Sequence, residues 1–121
     1  MRNLLEETIE ALKQHDKTPK DVLWCGCRTH YFDWADFEKV ANVEYDSGYG
    51  GQEVAEDLLI VGNGFWLERH EYDGSEWWEY KTAPVQPTEK MELKALTVGQ
   101  ASDASCGWEN LLALNNIKSA T

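Results

Sequence analysis

A chain of 121 residues suffices for one hydrophobic core but not for two ordinary domains. Its 22 Asp and Glu oppose only 11 Lys and Arg, and the net charge of −11 excludes a protein that coats nucleic acid or anionic membrane, since both would repel it. Six Trp, five Tyr and three Phe exclude a disordered acidic tail, which would lack the means to build a core.

The first predicted element is an amphipathic helix over 2–15. Leu4, Leu5, Thr8, Ile9 and Leu12 recur at helical spacing, and Glu6, Glu7, Glu10 and Lys13 take the other face. Thr18-Pro19-Lys20-Asp21 reads as a capped helical turn, with Thr18 as cap and Pro19 in the first position. Val22 to Cys25 follows as a short strand, and Asp33 caps a short helix carrying Trp34, Phe37, Val40 and Ala41. Ser47 to Gly51 is a loop; its glycines lack the Lys that a phosphate cradle would need. Glu53 to Asp57 is expected as a helical turn, Leu58 to Val61 as a buried strand and Gly62-Asn63-Gly64 as a turn.

Phe65 to Asp73 and Glu76 to Ala83 alternate as two strands of a hairpin. A turn on Gly74-Ser75 would pair Tyr72 with Trp77, His70 with Glu79 and Glu68 with Lys81. A turn on Asp73-Gly74 would set Glu71 against Glu76 and Glu68 against Glu79, so charge favours the first register. Both hairpin faces are aromatic and charged, which suggests that one lies under helices and the other meets a partner. The segment 83–90, with Pro84 and Pro87, is an internal linker. Thr97 caps a helical turn, and Trp108, Leu111, Leu112 and Asn115 have helical spacing. The expected class is α+β: a small antiparallel meander packed by N- and C-terminal helices, in a single domain over 1–121. The longest apolar run, Leu58 to Val61, is too short for a membrane span, and the first fifteen residues lack a signal-peptide core, so a soluble cytoplasmic protein is expected.

Charge is concentrated. Thirteen acidic residues lie between Tyr31 and Tyr80, opposed only by Lys39 and Arg69; this block carries the whole −11, while the flanks balance. Twelve of the aromatics share it. Acid interleaved with aromatics resembles a binding face for something basic, although charge runs commonly do no more than face water. On local charge density the expected contact residues are Asp46, Glu53, Glu56, Asp57, Glu71, Asp73 and Glu76, with Trp77 or Trp78 as anchors.

Three cysteines make a disulfide framework improbable. Cys25, Cys27 and His30 form a Cys-x-Cys-x-x-His knuckle, and Cys106 could supply a fourth ligand to a structural zinc ion. The competing reading makes the cysteines small buried apolar residues, with a redox or nucleophilic thiol near Arg28 as a third. Carboxylate pairs such as Glu68 and Glu71 could act on a sugar, but such pairs arise by chance in so acidic a chain and no catalytic motif appears, so catalysis is not expected.

The stretches Tyr45-Asp46-Ser47-Gly48-Tyr49-Gly50-Gly51-Gln52-Glu53 and Leu67-Glu68-Arg69-His70-Glu71-Tyr72-Asp73-Gly74-Ser75-Glu76-Trp77-Trp78 resemble those of small acidic proteins encoded by phages and mobile elements of bacteria. Within that group the chain is similar in size and acidity to anti-CRISPR proteins that inhibit Cas9. The resemblance implies an inhibitor that docks on a basic, nucleic-acid-handling surface of a host Cas9-type nuclease. An acidic adaptor, stapled by zinc and without a nuclease target, and a sugar- or peptide-binding module that uses the hairpin aromatics, are the other expectations.

Overall fold

The computed structural model describes residues 1–48, 50–101 and 110–116. The described chain is α+β, and its contacts group into two compact units, Met1–Pro84 and Val85–Thr121. The boundary falls inside the Pro-containing linker. Both proline substituents and the missing N–H groups disfavour continued pairing there.

In the first unit, β1 (Arg2–Asn3) pairs antiparallel with β4 (Glu44–Tyr45). Helix α1 (Leu4–Lys13) starts where the Asn3 side chain accepts the Glu6 amide N–H, so the first residues of the expected helix are strand. Thr18 and Asp21 cap each other reciprocally around the 3₁₀ turn Pro19–Asp21. That turn feeds β2 (Val22–Gly26), which pairs with the short β3 (Tyr31–Phe32). Asp33 and Asp36 form the second capping box, at the start of α2 (Trp34–Ala41). After a long loop come β5 (Leu59–Gly62), β6 (Phe65–Tyr72) and β7 (Ser75–Thr82). The expected helical turn at 53–57 is loop instead; its amides are taken by a side chain from the hairpin, described below.

The main sheet is antiparallel throughout, in the order β3-β2-β5-β6-β7. One row, Phe32, Cys25, Ile60, Leu67 and Tyr80, crosses all five strands on the core face. Leu4 and Leu12 of α1 and Phe37 and Ala41 of α2 join Cys25, Ile60, Phe65, Leu67 and Trp78 in the core. Helix α1 is keyed to the sheet by Thr8, fully buried, whose hydroxyl accepts from Trp78 Nε1 at 2.9 Å and donates to the Leu4 carbonyl at 2.7 Å. The half-buried faces that the sequence left ambiguous therefore resolve. Phe65, Leu67, Arg69 and Trp78 point into the core, and Trp66, Glu68, His70 and Trp77 lie on the opposite face.

The hairpin register is the one that charge argued against. Glu71 faces Glu76, Glu68 faces Glu79, and His70 faces Trp77. Asp73 (φ 50°) and Gly74 (φ 87°) supply the two positive φ angles of a type I′ turn, which fits the strand twist. The expected repulsion does not arise at Glu71 and Glu76 because each carboxylate has its own donors, and His70 bonds Glu68 at 2.7 Å rather than reaching Glu79.

The second unit holds a 3₁₀ turn, Val98–Gln100, whose Gln100 side chain accepts the Leu96 and Thr97 amides, and α3 (Leu111–Leu114), capped by Asn110. The buried Asn115 amide accepts from Lys94 N and Ala95 N and donates to the Ala95 carbonyl. Helix α3 lies in the second unit, and the helices that contribute to the first unit's core are α1 and α2. No helix among the described residues is long and apolar enough to cross a membrane.

Candidate functional site

The acidic block is organised around one buried cation. Arg69 lies on the core face of β6, and its side chain retains 4% of its exposure. Its guanidinium donates to Glu76 Oε1 at 2.8 Å, to Glu7 Oε2 at 3.3 Å and to the Tyr45 hydroxyl at 3.1 Å. It also stacks over Trp78, 4.7 Å from the ring centroid. Tyr45 in turn donates to Glu7. Burial pulls the Arg69 pKa down, but these acceptors outweigh it and hold the group above its ordinary value. Burial, reinforced by the Glu7 carboxylate, pushes the Tyr45 phenol up to about 12. The Arg69 Nε is buried without a partner, the one such side-chain atom found among the described residues.

Glu76 links that cation to the acidic loop. Its Oε2 accepts the Glu53 amide at 2.7 Å and its Oε1 the Val54 amide at 3.3 Å, while its own backbone N–H donates to the Ser47 carbonyl at 3.1 Å. Glu53 then accepts the Asp46 amide at 2.6 Å, and Gln52 donates to Glu71 at 3.0 Å. At the hairpin tip, a side chain on Gly74 would come 3.5 Å from the Gly50 carbonyl and 3.7 Å from that of Gly48, so turn and glycine loop lie against each other. Hydrogen bonds thereby tie Ser47, Gln52, Glu53 and Val54 to the hairpin, and Asp46 to Glu53.

Of the residues expected to contact a partner, Asp46, Glu53, Glu56, Glu71 and Asp73 come together on this loop-and-hairpin face. Glu56 and Glu71 border the same small pocket beside Arg69 and Glu76. The structure places the other four expected contact residues differently. Glu76 is buried and serves as the internal acceptor just described. Trp78, 8% exposed, is a core residue under Arg69. Trp77 is 36% exposed but lies on the opposite face of the hairpin, beside His70. Asp57 lies close enough to Cys27 to oppose its ionisation and is not tied into the Glu76 network.

Cys25 and Cys27 differ in environment. Cys25 is fully buried, and desolvation pushes its thiol up to about 12. Cys27 is half-buried in the β2–β3 turn, its Sγ 3.5 Å from the Thr29 hydroxyl, which is itself 2.9 Å from His30 Nδ1. The Thr29 hydroxyl, then backbone N–H groups of Thr29 and His30, hold this thiol below its ordinary value. Gly26 makes the turn possible: at φ 145° an added Cβ would lie 2.2 Å from the His30 carbonyl. Among the described residues, no group of three or more His, Cys, Asp or Glu is placed to hold a metal, and Cys106, the expected fourth ligand, lies outside the described residues. Trp108 lies outside them too.

Glu7, Tyr45 and Arg69, the centre of the site, were not singled out from the sequence. A signal for them existed. Arg69 is the lone Lys or Arg in β6, on the face that carries Phe65 and Leu67, and a buried guanidinium requires carboxylates around it. No protein-family model matches the chain, and comparison with curated proteins and with solved structures gives no match.

Proposed function

We propose that this chain is a non-catalytic binding protein. Its acidic loop-and-hairpin face docks on a Lys- and Arg-lined, nucleic-acid-handling surface of another protein and competes with nucleic acid there. One observation carries the reading: Glu76, buried against Arg69, bonds the Glu53 and Val54 amides and the Ser47 carbonyl and so ties the acidic loop to the hairpin. Surface acid needs no such scaffold for solubility, whereas preorganised carboxylates can satisfy guanidinium and ammonium groups without ordering cost at binding. The chain's similarity in size and acidity to anti-CRISPR proteins that inhibit Cas9 points to a Cas9-type nuclease as the partner, whose guide and target channels are basic.

A DNA-cleavage assay with a Cas9-type nuclease tests this. Cleavage should fall with added protein at stoichiometric ratios. Excess non-target DNA should restore binding-competent nuclease by competition, and salt should weaken the inhibition. Undiminished cleavage at a tenfold excess, with no complex by gel filtration, would overturn the assignment to this nuclease class.

A further inference from the structure

Next to the acidic loop, the first unit contains an apolar groove of about 530 Å³, within the ~300–1,000 Å³ range of ligand-binding pockets. Helix α2 contributes Phe37, Val40 and Ala41 to it, and the loop before β5 contributes Val54 and Leu58. Two lining residues at its mouth are open to solvent: Val40 keeps 78% of its exposure and Val43 keeps 51%. Exposed aliphatic side chains bordering a concave apolar surface are a recurrent mark of an interaction site.

The charged members of the lining specify what fits. They are Asp36, Glu44 and Glu53, with no Lys or Arg among the described lining residues. Glu53 belongs to both features, since its carboxylate accepts from Asp46 and its amide donates to Glu76. Groove and acidic face are therefore one continuous surface. A second copy of this chain, with net charge −11, would bring like charge to the rim. A neutral apolar molecule would leave three carboxylates without counter-charges. We infer that the groove receives an apolar segment of the partner protein flanked by Lys or Arg. Its apolar side chains enter between α2 and the 54–58 loop, and its cations meet Asp36, Glu44 and Glu53. The inference deepens the docking reading above and rests on it for the face used. It supplies the apolar anchor that Trp78, being buried, cannot provide.

The test uses the full chain, labelled with ¹⁵N, and a heptapeptide with a Leu-Phe-Leu centre and two Lys at each end. A second heptapeptide carries Glu in place of Lys, and a third carries Ser in place of the apolar centre. Amide shifts should move at Val40, Val43, Val54 and Leu58, with the Lys-flanked apolar peptide binding at least about tenfold more tightly than either control. Val40→Arg, at an exposed position, should weaken that binding by a similar factor with an unchanged melting temperature. Absence of shifts at millimolar peptide, shifts located elsewhere, equal binding of the Glu-flanked peptide, or full binding by Val40→Arg would each overturn the inference. So would shifts at these residues that grow with protein concentration alone, which would place a second copy in the groove. No nuclease is used. Peptide binding without nuclease inhibition therefore rejects the nuclease assignment alone, and inhibition without peptide binding rejects the groove alone.

Discussion

Replacing Glu76 with Ala should separate the acidic loop from the hairpin. The carboxylate is almost fully buried, with its side chain 3% exposed, and it carries three bonds: from Arg69, from the Glu53 amide and from the Val54 amide. Removing one partner of a buried ion pair costs about 3–5 kcal/mol, because the other charge stays buried and uncompensated. Here Arg69 retains Glu7 and Tyr45, which places the expected loss near the lower end of that range, at about 3 kcal/mol. Glu76→Gln keeps one acceptor oxygen and loses the charge, so about 1.5–2 kcal/mol is expected, in line with hydrogen bonds to charged groups. Urea denaturation gives the stabilities, and hydrogen exchange of the Glu53 and Val54 amides reports the loop directly. A loss below about 1 kcal/mol for Glu76→Ala, with those two amides still protected, would refute the claim that Glu76 holds the loop.

Iodoacetamide at neutral pH should label Cys27 at least about 100-fold faster than Cys25, since burial pushes one thiol up to about 12 while hydrogen bonds lower the other; peptide mapping reads the order, and equal rates would mean that Cys25 is not buried. Tyr45, raised from 10.0 to about 12, binds its proton more tightly folded than unfolded. Its contribution to stability should be complete below pH 10 and fall as pH rises from 10 toward 12. Alkaline denaturation of Tyr45→Phe should lack that component, and identical profiles for the two proteins would contradict the shift.

Local signals were legible where one residue determines a local geometry. Asn110 apart, the helix starts at Thr18 and Asp33 follow from side-chain oxygens placed before short helices, and both capping boxes form. The hairpin strands were legible from alternation, but their register was not. Cross-strand charge pairing, worth tenths of a kcal/mol at a surface, lost to the conformational preference of Asp73-Gly74 and to the long-range donors that Arg69, Gln52 and the 53–54 amides bring to the glutamates. The same non-local contacts explain why Glu76 and Trp78 read as surface residues: Trp78 bonds Thr8 of α1, 70 positions earlier, and Glu76 takes the Glu53 and Val54 amides of the loop, 23 and 22 positions earlier. Local charge density pointed to Asp46, Glu53, Glu56, Glu71 and Asp73 on the loop and hairpin, but it could not separate exposed carboxylates from the buried Glu76 that bonds the loop amides.

The most direct test of the docking claim is the affinity of a Cas9-type nuclease for the wild-type chain and for the Glu56→Lys, Glu71→Lys double variant, measured across ionic strength. Both residues are exposed and border the Arg69–Glu76 site. Reversing each charge removes one attraction and adds one repulsion, each worth about 0.5 kcal/mol, so the dissociation constant should rise about 30-fold at low salt, with a flatter salt dependence. An unchanged dissociation constant and salt dependence in a folded double variant would contradict docking through this face.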